Sequence, residues 1–139
     1  MTTRTGGCLC GAVRYEVTGD PMMQVACHCT DCQKASGGSP TLALIVAPSA
    51  VKVTKGTPKR FVSKGDSGAD VVREFCENCG SPLFSMPASS GGAIVVVKIG
   101  SLDDPSDFKP QIDMYMDSAR PWHAKHEGAM QFPKGPPVG

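Results

Sequence analysis

Seven cysteines in three short groups are the residues of this chain best suited to chemistry. The groups are Cys8-Leu9-Cys10-Gly11, Cys27-His28-Cys29-Thr30-Asp31-Cys32 and Cys76-Glu77-Asn78-Cys79-Gly80. A Cys-x-x-Cys turn followed by glycine directs two sulfurs at one ion, because glycine permits the left-handed backbone that closes the loop. An odd number of cysteines cannot all pair as disulfides, and isolated buried thiols have no reason to cluster. The pattern therefore indicates metal ligation.

The seven thiols divide naturally into a set of four and a set of three. A structural zinc site takes four ligands in a closed tetrahedron, whereas a catalytic site keeps three protein ligands and one open position. The simplest partition forms a structural site, which we call the four-cysteine cluster, from Cys8, Cys10, Cys76 and Cys79. The remaining three, which we call the triplet, are Cys27, Cys29 and Cys32. The expected cofactors are thus two zinc ions per chain.

The spacing leaves one alternative open for the triplet. A histidine could complete its coordination, so that both sites would be structural. The available histidines are His28, His123 and His126. His28 stands between two ligands, so we expect its ring to point away from the metal and to support or pack beside the site.

Composition excludes several classes of partner. The chain has 139 residues with 14 basic and 13 acidic side chains, a net charge of +1. It therefore has no strong field for binding nucleic acid or an anionic membrane. Met1 to Gly7 lacks the apolar region of a secretory signal, and the apolar runs are too short to span a bilayer. We expect a cytoplasmic protein that binds neither nucleic acid nor membranes.

Short alternating segments predict an all-β fold. Sixteen Gly and twelve Pro disfavour long helices, and only Thr30 to Ser36 is typical of a helix. The predicted strands are Val13 to Val17, Met22 to Ala26, Thr41 to Ala47, Val51 to Thr54, Lys59 to Val62, Val71 to Phe75, Leu83 to Met86, Ala93 to Ile99 and Ile112 to Tyr115. The apolar runs Leu42 to Val46 and Ile94 to Val97 predict central strands buried on both faces. We expect one domain over residues 6–131, with loose termini at 1–5 and 132–139.

The cysteine groups belong to a longer pattern that resembles a known family. The pattern comprises Gly7 to Tyr15, Cys27 to Lys34, Arg73 to Ser81, Gly100 to Pro105 and Ser118 to Trp122. In this order the segments resemble the glutathione-dependent formaldehyde-activating enzyme family. The resemblance implies an Mss4-like β-tent of short antiparallel strands stapled by zinc, with a structural zinc on the four-cysteine cluster and a catalytic zinc on the triplet. Members often carry a histidine where this chain has Asp113.

The resemblance also implies a reaction, the addition of glutathione or a similar thiol to a small aldehyde. This is the chemistry of a carbon–sulfur lyase in reverse. Zinc on three thiolates is electron-rich, so a thiol is a better fourth ligand than a hydrolytic water. We expect Lys34 and Arg120 to bind a substrate carboxylate or offset thiolate charge. Proton carriers for the new alkoxide are His28, Asp31, Tyr115, His123 or water.

Two other functions are compatible with the cysteines. A zinc-stapled binding module without catalysis would have the triplet closed by a histidine or a partner. A thiol redox enzyme fits poorly, because nearly every cysteine is assigned to metal. We expect Trp122 to act as a packing anchor. The sequence does not indicate an oligomeric state.

Overall fold

A computed structural model describes residues 2–38 and 40–136 of the chain. Its strands are β1 (Thr3–Gly7), β2 (Arg14–Thr18), β3 (Met23–Cys27), β4 (Thr41–Val46), β5 (Val51–Lys55), β6 (Lys59–Lys64), β7 (Asp70–Phe75), β8 (Pro82–Pro87), β9 (Val95–Lys98), β10 (Ile112–Met114) and β11 (Met130–Gln131). Within the described ranges one α-helix is present, α1 (Thr30–Ser36), and short 3₁₀ turns join several strands.

The strands form two sheets, which confirms the mostly β prediction with one short helix. The small sheet has the order β1-β2-β5, and the large sheet has the order β11-β10-β3-β4-β9-β8-β7-β6. Pairing is antiparallel except at one edge, where β10 runs parallel to both β3 and β11. No helix in the described part of the chain is long and apolar enough to cross a membrane.

The main core lies between the small sheet and one face of the large sheet. Leu44, Val97 and Phe84 form one register row across β4, β9 and β8. Each is buried, and the Phe84 ring meets the Tyr15 ring of β2 edge to face, with centroids 4.8 Å apart. Burial of this row and of Tyr15 fixes the small sheet against the large one.

The opposite face of the large sheet carries a second, smaller apolar cluster around Val25, Ala43 and Ile45. Register places three chemically active side chains on this face. Cys27 is opposite Thr41, Lys98 is opposite Ala43, and Arg73 is opposite Ser85. Because side chains two positions apart share a face, the triplet thiol Cys27 and the two cations project to the same side.

Both cysteine sets lie at one end of the large sheet. Strand β3 ends at Cys27, β9 ends at Lys98, and β7 ends immediately before Cys76. An isolated bridge between Gly6 and Leu102 brings the end of β1, and hence Cys8, to the same end. The topology therefore assembles both sites from the ends of strands that are far apart in sequence.

The structure differs from the sequence-based expectations at both termini. Thr3 to Thr5 belong to β1 and pair with β2, so they are not a loose end. The carbonyls of Phe132, Pro133 and Lys134 accept hydrogen bonds from the backbone after β10, so this part of the tail is also held. Met1 and residues 137–139 lie outside the described residues.

The two predicted central strands differ in their burial. Strand β4 is almost fully buried, as expected. Strand β9 is central by its position but only Val97 in it is buried, because the second face of the sheet is partly open at this point. The prediction that β9 is buried on both faces is wrong.

Candidate metal centres

The four-cysteine cluster is assembled in the structure as the spacing predicts. Its four Sγ atoms all lie within 4.8 Å of one another. The Cys8 and Cys10 sulfurs are 3.6 Å apart, and the Cys10 and Cys76 sulfurs are 3.8 Å apart. A zinc–sulfur bond of about 2.3 Å gives a tetrahedral edge of about 3.8 Å, so the donor set fits a tetrahedral thiolate-bound metal such as zinc.

Local hydrogen bonds orient these sulfurs. The Val13 backbone N–H donates to the Cys8 sulfur over 3.2 Å, and the Asn78 amide donates to the Cys10 sulfur over 3.3 Å. Gly11 and Gly80 have φ angles of 80° and 79°, and their N–H groups close turns onto the carbonyls of Cys8 and Cys76. The left-handed glycine predicted after the Cys-x-x-Cys pair is therefore present at Gly80, and Gly11 closes the Cys8–Cys10 turn in the same way.

The thiols of this cluster have pKa values shifted in opposite directions. Hydrogen bonds from Ser81 lower the pKa of Cys79 to about 5. The backbone N–H of Cys79 lowers the pKa of Cys76, but burial and the neighbouring thiols outweigh it and raise that pKa to about 11. Adjacent thiolates repel one another, so the cluster cannot be fully deprotonated without a cation among the sulfurs.

The triplet is formed by the end of β3 and the start of α1. The sulfurs of Cys27, Cys29 and Cys32 lie within 4.8 Å of one another, and all three residues are half-buried. Cys29 is the N-cap of α1, where its sulfur accepts a hydrogen bond from the Cys32 N–H over 3.2 Å. Thr41 donates to the Cys32 carbonyl over 3.2 Å. In the described residues no histidine joins this group, so a metal ion here would have three protein ligands.

The charges around the triplet come from residues that the sequence analysis did not identify. Hydrogen bonds from Cys27 and Cys29 lower the pKa of Cys32, and the positive charges of Lys98 and Arg73 lower it further. Hydrogen bonding to Cys29 and Cys32, with burial, raises the pKa of Cys27. The triplet, like the four-cysteine cluster, therefore favours a bound cation. A lysine directly after the apolar run Ile94 to Val97 was the only sequence signal for Lys98, and it did not distinguish this lysine from others.

The two predicted substrate-binding cations lie on the outer side of α1. Lys34 is exposed and lines a shallow cleft of about 480 Å³ with Gln33, Gly37, Gly38 and Trp122. Arg120 is also exposed, and its Nε atom donates to the Gln33 Oε1 atom over 3.3 Å. Trp122 is 78% exposed, so the interpretation of this residue as a packing anchor is wrong.

A buried polar network lies behind the triplet. The His28 ring is fully buried, with Nε2 placed 2.8 Å from Asp113 Oδ1 and Nδ1 placed 2.7 Å from His123 Nδ1. His126 reaches the same Asp113 oxygen over 3.0 Å. The ring of His28 thus points away from the thiols, as expected, and it positions the backbone between two ligands.

Tyr115 adjoins the triplet through the sheet register. It follows Met114, which pairs with Cys27, and it has a left-handed backbone with φ 58° and ψ 42°. Such a conformation is rare for a bulky residue and marks local strain. Burial raises the pKa of the phenol, and negative charge on Asp66 and the triplet thiols raises it further. Of the proton carriers predicted from the sequence, Tyr115 is the one whose pKa is raised by the charges of all three triplet thiols.

A larger groove lies between the two cysteine sets. Its volume is about 630 Å³, within the usual range for small-ligand sites. Ser36 and Thr41 line it near the triplet, Cys8 and Leu9 line it near the four-cysteine cluster, and Lys98 lies between.

The chain is a two-sheet β protein with two thiol clusters able to hold metal at one end of its large sheet. The model of the family "Glutathione-dependent formaldehyde-activating enzyme" matches residues 3–118, so the chain belongs to that family. A crystal structure of a Rhodobacter sphaeroides protein is similar in fold, with 21% identity and a TM-score of 0.56, and the match covers 71% of this chain and 87% of that chain. The family predicted from the sequence is confirmed.

Proposed function

We propose that the triplet binds zinc and catalyses the reversible addition of a thiol such as glutathione to a small aldehyde such as formaldehyde. The observation that supports this proposal is three half-buried thiols within 4.8 Å of one another, with no fourth ligand among the described residues. Membership of a family named for a glutathione-dependent enzyme provides the substrate class. In the reverse direction the activity is that of a carbon–sulfur lyase.

Zinc, when bound by the triplet, supplies a coordination position that lowers the pKa of an incoming thiol and orients its sulfur. The reaction forms one carbon–sulfur bond between that sulfur and the carbonyl carbon. The electron pair of the carbonyl π bond moves to oxygen, and the proton lost by the thiol is delivered to that oxygen. No external oxidant or reductant is required.

The chain's own residues have distinct tasks in this proposal. Cys27, Cys29 and Cys32 hold the metal. Arg73 offsets the negative charge of the thiolates, and the Tyr115 phenol carries the proton between sulfur and oxygen. Of the predicted carriers, Asp31 is exposed, and His28 has both ring nitrogens occupied by Asp113 and His123.

Two further roles complete the proposal. The four-cysteine cluster binds a structural zinc that ties the start of the chain to the turn after β7, within a single domain over residues 6–131. Lys34 and Arg120 bind a distal part of the thiol, in or beside the exposed cleft that holds Trp122. All seven cysteines are free thiols, which suits a reducing compartment such as the cytoplasm.

Rate measurement tests the catalytic proposal. Formaldehyde and glutathione react without a catalyst, so accumulated product is not informative. Two-dimensional exchange NMR on an equilibrated mixture reports the interconversion rate directly. We expect the zinc-loaded protein to accelerate exchange and Cys29→Ser to abolish the acceleration. Equal rates for both proteins, with glutathione and with other thiols, would exclude the lyase activity and favour a non-catalytic binding module.

A further inference from the structure

We propose that Lys98 binds one carboxylate of the thiol substrate, and that the arm bearing this carboxylate lies in the groove between the triplet and the four-cysteine cluster, while Lys34 and Arg120 bind the other end. The inference rests on the proposed function of the triplet and specifies its substrate as an acidic thiol larger than a simple alkyl thiol. Lys98 is assigned here as a substrate-binding residue.

The position of Lys98 follows from the sheet register. It ends β9 directly opposite Ala43 of β4, and Thr41, two residues earlier on β4, is opposite Cys27. Ala43 is small, so it leaves space on this face above β4 for the long lysine side chain. The residue therefore stands at the junction between the triplet and the groove that it lines.

The ammonium of Lys98 has no carboxylate partner among the described residues. Across residues 2–38 and 40–136, no carboxylate lies within 4.0 Å of it, and its side chain makes no hydrogen bond. Burial lowers the pKa of this half-buried ammonium, and the charge of the triplet thiols opposes that shift only in part. An anion brought by a ligand would offset the rest of that shift.

The triplet has a second nearby cation, Arg73, so Lys98 is not required to offset its charge. Zinc with three thiolates carries a single formal negative charge. Arg73 projects to the same face and donates to Ser63 over 3.0 Å, with no carboxylate within 4.0 Å among the described residues. Arg73 can therefore offset the charge of the loaded triplet, which leaves Lys98 available to a ligand.

The lining of the groove indicates the kind of ligand it holds. Lys98 is its one ammonium or guanidinium group, and no carboxylate lines the described part. The rest of the lining combines hydroxyl groups, glycine backbone and apolar side chains such as Leu42 and Ile99. Hydroxyl and backbone groups suit peptide-like amides, and the single ammonium suits one carboxylate. A volume of about 630 Å³ accommodates a tripeptide-sized thiol and is larger than a two-carbon thiol requires.

Binding of S-methylglutathione to the full-length, zinc-loaded, ¹⁵N-labelled protein tests the assignment without any catalytic readout. This probe keeps the carboxylates but has no free thiol. We expect amide shifts at Leu42, Gly100 and Ser101, and affinity at least about tenfold weaker in Lys98→Met. Lys98→Arg should retain most of the affinity. Lys52→Met, an exposed lysine of β5 in the other sheet, should bind as the wild type does.

The dimethyl ester of S-methylglutathione removes the carboxylate charge from the probe and leaves the protein unchanged. It should bind the wild type about as weakly as the acid binds Lys98→Met, and this comparison needs no variant to fold. The proposal would be overturned if the acid and the ester bound equally, if Lys98→Met kept the wild-type affinity, or if the probe did not bind. It would also be overturned if the amide shifts were confined to Gln33, Lys34 and Trp122. Intact binding with no acceleration of exchange would instead disprove the catalytic function while leaving this site in place.

Discussion

The Nε2 atom of His28 lies 2.8 Å from the Oδ1 atom of Asp113, and neither side chain is exposed to solvent. Because a carboxylate only accepts, Nε2 of His28 carries the proton. Nδ1 of a neutral His28 then accepts from Nδ1 of His123, and Nε2 of His123 is left buried without a partner among the described residues. Asp113 thus holds a ring that stands between two triplet ligands.

Replacement of this carboxylate should destabilise the protein. Asp113→Asn removes the charged acceptor of two histidines, so we expect a loss of about 2 kcal/mol or more, or roughly 5–10 °C in Tm. Thermal unfolding measures this loss. Asp107→Asn is the control, because the Asp107 side chain is 67% exposed in its pair with Arg4, and it should change Tm by no more than a few degrees. Similar small changes in both variants would contradict the role of the network.

Metal content should be two zinc ions per chain. The seven thiols form one set of four and one set of three, and each set requires a cation to relieve repulsion among the sulfurs. Elemental analysis of protein prepared without chelator, and again after reconstitution with zinc, measures the ratio. A reconstituted ratio near one, or iron in place of zinc, would contradict the assignment.

The two sites should differ in their effect on stability. The four-cysteine cluster joins positions 8 and 79, so by analogy with a covalent cross-link it restricts the unfolded chain by about 4 kcal/mol, against about 2 kcal/mol for the short triplet loop. Cys76→Ser should therefore lower Tm more strongly than Cys29→Ser. Calorimetry of both zinc-loaded variants is the measurement. Equal decreases would show that the triplet is as structural as the cluster.

The phenol of Tyr115 should affect rate and leave the metal sites intact. A positioned proton carrier contributes about 100-fold or more, so Tyr115→Phe should slow aldehyde–thiol exchange by that order. Zinc content and Tm should remain near those of the wild type, because the phenylalanine keeps the ring. Exchange NMR at saturating glutathione gives the rate. An unchanged rate would show that water or another group, and not Tyr115, carries the proton.

The local features of this protein were predictable from its sequence. The cysteine turns, their glycines and α1 depend on neighbouring residues, and they were placed correctly. Strand β1 was missed because its sequence, Thr3–Gly7, has no apolar alternation and is held by its pairing with β2. Strand β11 is two residues long and depends on β10 in the same way.

The charged side chains near the triplet were not predictable either, because their positions also depend on strand pairing. Lys34 is close to Cys32 in sequence, but it lies on the exposed side of a helix. Lys98 and Arg73 are distant in sequence, and they approach the triplet only through the pairing of β4, β9, β8 and β7. Strand register across a sheet is set by long-range packing, which a single sequence does not specify.

Cadmium-113 NMR on protein loaded with two cadmium ions tests most directly whether the triplet offers an open position to a thiol. Cys29→Ser assigns the triplet resonance, because it removes one sulfur from that site only. We predict that added glutathione shifts the triplet resonance and leaves the resonance of the four-cysteine cluster in place, because the described residues offer the triplet metal three thiols and no fourth ligand. A triplet resonance that does not respond to glutathione would contradict the account.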